Sequence, residues 1–211
     1  MRRLFDMDNP LMQGLSIAAD MLLLNLLTML CCVPVFTGGA AFTALHDVTR
    51  RLVYGEVGSS VTKSYFRSFT RNLKQGSLLG LLFLLAAVIL YVDYQAAAGF
   101  FPPLRVAAAA VAVLLLALAV YAFSLLARYD NSLPATLKNA LALAVGFFPR
   151  TLGILCFFLA FWVLSIRYFQ MGAPILLMFG LSLPCYVSTL LLRPVFDRLE
   201  GDGNKTKEEQ P

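Results

Sequence analysis

The chain has 211 residues, of which 59% are hydrophobic and 14% charged, with a formal net charge of +5 and a mean hydropathy of +0.75. A soluble globular domain is about half apolar and about a quarter charged; here the apolar excess is gathered in long uncharged blocks, which excludes an ordinary soluble core. The positive charges flank those blocks, so the basic balance does not read as nucleic-acid binding.

The first hydrophobic element spans 14–36 and ends at Val-Pro-Val-Phe-Thr-Gly-Gly, where Pro34, Gly38 and Gly39 mark a turn. It lacks a small-residue cleavage site and is expected to stay as an uncleaved anchor. A second, short element over 39–54 closes with His46, Asp47, Arg50 and Arg51. The third and fourth cover 76–95 and 104–128, separated by the Gly99–Pro103 punctuation. A helix rising about 1.5 Å per residue needs roughly 20 apolar residues to cross a ~30 Å hydrocarbon layer, and both elements supply them. The fifth runs over 149–166 from Pro149, a favourable first helical position. The sixth covers 173–192, with Pro184 expected to kink it.

The fold class that follows is all-α: a polytopic bundle of six membrane helices in a single domain over 1–200. The polar, glycine-containing tail 201–211 is expected to be disordered. Six crossings put Arg2, Arg3, Arg50, Arg51, Lys63, Arg67, Arg71, Lys74, Arg128, Lys138, Arg150, Arg193, Arg198, Lys205 and Lys207 on one side, and only Arg105 and Arg167 on the other. The positive-inside rule then places both termini in the cytoplasm of a bacterial cell membrane. Five crossings, with 39–54 lying at the interface, would put Arg2 and Arg3 outside, so six are preferred.

Two segments between spans read as interfacial helices. Over 59–75, Val61, Tyr65, Phe66, Phe69 and Leu73 share one helical face, while Lys63, Arg67, Arg71 and Lys74 recur on another. Such a helix lies in the headgroup plane with its rings toward the membrane and its cations toward anionic lipid or a cytoplasmic partner. The second covers 132–147. Tyr54 and Lys63 before one span are echoed by Tyr129 and Lys138 before another, as an internal repeat would produce.

Polar groups inside spans are the candidate sites, because each must be satisfied within the protein. Asp20 and Asn25 point about 140° apart on the first helix, at roughly 100° per residue, so they need different neighbours. Asn25 suits interhelical hydrogen bonding; Asp20 suits an interfacial carboxylate or an arginine partner. His46 and Asp47 are adjacent and form no dyad by themselves. His46 reads as a hydrogen-bonded packing residue or as a proton-relay group. Asp93, near the outer end of the third helix, has Arg105 and Arg167 as candidate countercharges. No phosphate loop, nucleophile elbow or zinc-protease motif occurs. His46 is the only histidine and the four cysteines lack metal-ligand spacing, so no metal, cofactor or catalytic residue is expected.

The run Asn25–Gly39 (NLLTMLCCVPVFTGG), followed by Ala41, Thr43, Ala44 and Leu45, resembles the opening of the YesL family of bacterial multi-pass membrane proteins. YFRSFTRNLKQG at Tyr65–Gly76, YDNSLPATLKNALALAVGFFPRTL at Tyr129–Leu152 and RPVFDRLEG at Arg193–Gly201 are similar to it too. The resemblance implies a protein encoded beside carbohydrate ABC-transporter components and sensor systems, and it carries no catalytic residues. The expected function is therefore a non-enzymatic accessory or regulatory membrane protein of carbohydrate uptake. Its expected partners are the lipid bilayer and ABC-transporter subunits or a membrane sensor. The rival is a small secondary transporter lined by Asp20, Asn25 and His46.

Overall fold

The computed structural model describes residues 10–56, 60–97, 102–168, 174 and 176–208. Eight α-helices can be followed among them: α1 (Pro10–Cys31), α2 (Gly38–Tyr54), α3 (Val61–Arg71), α4 (Leu73–Ala96), α5 (Pro102–Arg128), α6 (Leu133–Gly146), α7 (Phe148–Arg167) and α8 (Ser182–Glu208). Local chemistry sets several of the ends. Ser60 caps α3 by accepting from the Lys63 amide at 3.4 Å, and Pro134 sits in the first turn of α6. Gly55, at φ 71°, closes α2 in the left-handed conformation that favours glycine.

The long helices pair antiparallel. Met12 and Gln13 of α1 share a pocket with Leu52 and Gly55 at the end of α2. In the second pair Phe83 packs on Phe123, and Arg105 stacks 4.6 Å over the Tyr94 ring. In the third, Gly153 of α7 lies beside Leu191 of α8. The short helices α3 and α6 each feed a long helix across a single residue, Asn72 and Phe147.

Four helices among the described residues are long and apolar enough to cross a membrane: Met12–Cys31, Leu73–Ala96, Pro103–Arg128 and Phe148–Arg167. Their outward faces stay apolar; on α4, Leu81, Leu85, Val88 and Ile89 are all more than half exposed. Such a surface is stable against lipid, not against water.

The second expected span, 39–54, forms a helix of a different kind. Between Gly39 and Thr49 every residue of α2 except Phe42 is buried. α2 packs against α1, α3, α4, α5 and α8, so its polar residues find protein partners and it needs no lipid-facing stripe. A Cβ added at Gly39 would lie 2.0 Å from the Gly76 carbonyl oxygen and 2.6 Å from the Gly80 Cα. The backbones of α2 and α4 therefore touch, as small-residue crossings allow. Gly39 meets the first turns of α4, while Tyr54 reaches Arg128 at the end of α5, 5.3 Å from its guanidinium carbon to the ring. Both contacts lie at the same end of the α4–α5 pair, so α2 runs obliquely across that end.

The turn joining α1 to α2 is satisfied internally. Thr37 Oγ1 lies 2.7 Å from the Cys31 carbonyl and 2.8 Å from that of Pro34, and can donate to either. Val33, Val35 and Phe36 are each at least 67% exposed, which gives the tip an apolar surface. Irregular backbone at membrane depth requires such self-sufficiency.

Three expectations are corrected. The element placed at 173–192 is interrupted at Gly180–Leu181, and α8 begins at Ser182. Pro184 explains the break: it cannot donate to the Gly180 carbonyl four residues earlier, and its ring crowds that carbonyl. The tail read as disordered is helical to Glu208, because extending an established helix avoids the cost of nucleation; 209–211 lie outside the described residues, as do Arg2, Arg3 and most of the Gly99–Pro103 punctuation. The helix drawn over 59–75 is shorter, and its apolar face meets protein instead of lipid. Val61 and Tyr65 pack with Leu24, Leu45 and Val48, and Phe69 lies against them. Only Phe66 and Leu73 of that face remain exposed.

Candidate functional site

Asn25 is fully buried and bridges the helix break. Its Oδ1 accepts from the Leu181 amide at 2.8 Å and the Ser182 amide at 3.2 Å. Its Nδ2 donates to the Leu177 carbonyl at 2.8 Å. The amides of Leu181 in the interruption and Ser182 at the start of α8, with a carbonyl just before them, lack intrahelical partners, and one side chain from α1 satisfies all three. Interhelical bonding is thus where Asn25 is used, with its partner a broken backbone.

Asp20 is partly exposed on α1 and has no ion pair among the described residues. His46 and Asp47 point apart. The His46 Nδ1 lies 3.2 Å from Ser124 Oγ, and its ring stacks on Phe123 with centroids 6.5 Å apart. Asp47, buried on the other side of α2, accepts from Arg50 at 3.3 Å and from Arg51 at 3.2 and 3.0 Å. Asp93 forms no ion pair with Arg105 among the described residues; Arg105 stacks on Tyr94 instead.

Of the four cations on or next to α3, Lys63, Arg67 and Lys74 are exposed. Arg71 is bound to Asp130 in the α5–α6 connection. The Arg71 guanidinium holds the Asp130 carboxyl below the usual carboxylate range, through a hydrogen bond first and Coulomb attraction second. The pair is exposed, so salt screens it and it ties the two connections only loosely. Lys63, Arg67 and Lys74 do not gather into a pocket with the intramembrane residues.

A second basic feature went unnoticed in the sequence. Where α2, α5 and α8 meet, a small pocket is lined by His46, Arg50, Tyr54, Ser124, Arg128 and Arg193, among others. Tyr54 is its centre. Its hydroxyl donates to Asp197 at 2.6 Å, and the guanidinium carbons of Arg128 and Arg193 lie 5.3 and 4.9 Å from its ring. Arg128 also stacks on Phe196 at 4.4 Å. Cation–π contacts of this kind hold guanidiniums in place while leaving their edges able to donate. Arg50, Arg128 and Arg193 read in the sequence only as charges at the ends of hydrophobic elements; a tyrosine at the end of 39–54 was the one available signal. No group of three metal-ligating side chains comes together among the described residues.

Residues 21–94 match a family described as "Protein of unknown function, DUF624". The matched stretch runs from α1 to α4 and includes Asn25, His46, Asp47 and the α3 cations. No curated protein and no solved structure matches the chain.

Proposed function

We propose that this chain is a non-enzymatic membrane protein that serves carbohydrate uptake as an accessory or regulatory subunit. The observation that carries this reading is that Asn25, His46 and Asp47 are already engaged within the bundle, each with different partners. Asn25 plugs a helix break, His46 meets Ser124, and Asp47 holds two arginines. The cavities lined by His46 are lined by neither Asn25 nor Asp47. A secondary transporter needs such groups turned toward one shared site. What stays available is outward charge from Lys63 and Arg67 on α3 and Lys74 at the start of α4, suited to a partner's acidic surface or to anionic headgroups. The link to carbohydrate uptake comes from the resemblance to the YesL family, which suggests ABC-type transporter subunits or a membrane sensor as the partner. Purification from native membranes in mild detergent is expected to co-isolate such subunits. A protein recovered alone and stabilised by a solute would favour the transporter and sink the accessory role.

The same reading places both termini in the cytoplasm of a bacterial cell membrane. The cation bias supports it, and so does the way α1 and α2 bring Met12 beside Gly55. Six full crossings and a shallower α1–α2 hairpin both return the chain to its starting side. Reporter fusions at residues 5 and 205 are therefore both expected to read inside. An outside signal at residue 5 alone would overturn the returning hairpin.

A further inference from the structure

The depth of the α1–α2 hairpin can be read against α4. The 24 residues of α4, from Leu73 to Ala96, run about 36 Å at about 1.5 Å per residue. Gly39 sits against Gly76 and Gly80, which lie only about 5 and 10 Å along that length. Phe36 stands three residues before Gly39, so even a fully extended chain carries it only about 10 Å farther. The turn at Val35–Thr37 packs on α4 as well. It therefore stops at least about 10 Å short of the Ala96 end, where six full crossings would place it.

Contacts at both ends of the hairpin agree. Tyr65 of α3 donates from its hydroxyl to the Ala41 carbonyl at 3.4 Å, and Leu24 and Cys31 of α1 pack in the same cluster. α3 leads into α4 across Asn72 and keeps Lys63 and Arg67 exposed, so the last turn of α1 lies by the start of α4. The other end of the hairpin joins Met12 and Gln13 to Leu52 and Gly55, with Tyr54 beside Arg128 at the end of α5. Burial follows the same division. Within α4 the buried residues are Gly76 and Leu79; in α5 none of 103–116 is buried, whereas Ala117, Val120 and Tyr121 are. The hairpin packs where α4 begins and α5 ends.

The surface of the turn identifies its neighbour. Val33, Val35 and Phe36 are each at least 67% exposed, and no charged residue lies between Asp20 and Asp47. The hydroxyl of the turn, on Thr37, is satisfied by the carbonyls of Cys31 and Pro34. Such a tip is at home among acyl chains and would be an apolar patch in water. We propose that α1 and α2 form a re-entrant hairpin, whose tip at 33–36 inserts among the acyl chains near the middle of the bilayer and returns without reaching the far face. Which leaflet it enters follows from the orientation proposed above; its depth does not.

Trp162 is the single tryptophan of the chain, which makes depth measurable by fluorescence. The full chain carrying Trp162→Phe is reconstituted in phosphatidylcholine vesicles with Phe36→Trp, Val33→Trp or Tyr168→Trp as its sole indole. Phosphatidylcholines brominated near the headgroup or near the chain ends then act as shallow and deep quenchers. Both tip variants should be quenched more by the deep bromines, and Tyr168→Trp, just past the end of α7, more by the shallow ones. The tip side chains face outward, so either variant carries the reading if the other fails to assemble. An indole by itself prefers the interface, so deep quenching at either tip position supports the re-entrant hairpin. Shallow quenching at both tip positions, or quenching there by aqueous iodide alone, would overturn it: the turn would then lie at a membrane surface, after a full crossing or without entering.

Discussion

Replacing Asn25 with Leu is expected to lower the stability of the protein in mild detergent by on the order of 3 kcal/mol. The two side chains are of similar size, so little packing is lost. What is lost is the bridge across the helix break: two amides, of Leu181 and Ser182, and the carbonyl of Leu177. Side-chain hydrogen bonds between membrane helices average only about 0.6 kcal/mol, because the separated helices find other partners. An amide or carbonyl left buried without any partner costs more, about 1–3 kcal/mol each. With Asn25 fully buried, the second regime applies. Asn25→Asp keeps an acceptor for both amides but loses the donor to Leu177, and should melt between the wild type and the Leu variant. Thermal melts of the three proteins decide the matter. A Leu variant as stable as the wild type would remove the plug from the account, and loss of a solute response at unchanged stability would return Asn25 to a transport role.

Gly39→Ala is expected to be comparably damaging for a steric reason. The added methyl group would sit 2.0 Å from the Gly76 carbonyl oxygen and 2.6 Å from the Gly80 Cα. Those are backbone atoms, so no rotamer change relieves the overlap and α2 must move away from α4. Overpacking a core costs about 1–3 kcal/mol and occasionally more; a backbone-to-backbone clash belongs at the upper end, at about 3 kcal/mol. Gly80→Ala, 2.5 Å from the Gly39 Cα, should behave alike. The double variant should lose less than the sum, since one separation of the helices relieves both overlaps. Gly14 has no atom within 4 Å of an added Cβ, so Gly14→Ala should be neutral or stabilise by about 0.5–1 kcal/mol. Denaturation of the four variants in one detergent checks the series. A Gly39→Ala protein that matches Gly14→Ala would mean that the crossing is looser than described.

The helical class and the long helices α4, α5 and α7 were legible because uncharged length is itself the signal for a membrane helix. The short helix over 132–147 was legible as well, as a segment before a span that echoes the one near 54–63. What stayed hidden was what each polar or small residue touches. Asn25 is visibly in need of a partner, but nothing nearby in the chain points to a break more than 150 positions away. Pro184 announces a disturbed helix, and its effect falls one turn earlier, at Gly180. The apolar face of α3 reads equally well for lipid and for protein; only the placement of α1 and α2 against it decides. For the candidate site, His46 and Arg50 could be read from the sequence as polar residues of one short element. Ser124, Arg128 and Arg193 join them only because α2 lies across the ends of α5 and α8, and hydropathy does not encode a crossing angle.

The bond between Asn25 and the backbone at 177–182 also sets an order of events during synthesis. At about 5–20 residues per second, the roughly 150 residues between donor and acceptor take roughly 8–30 s to emerge. Throughout that interval α1 and α2 are already made while the Asn25 side chain awaits the backbone at 177–182. α1 is therefore made well before the backbone that locks it in place.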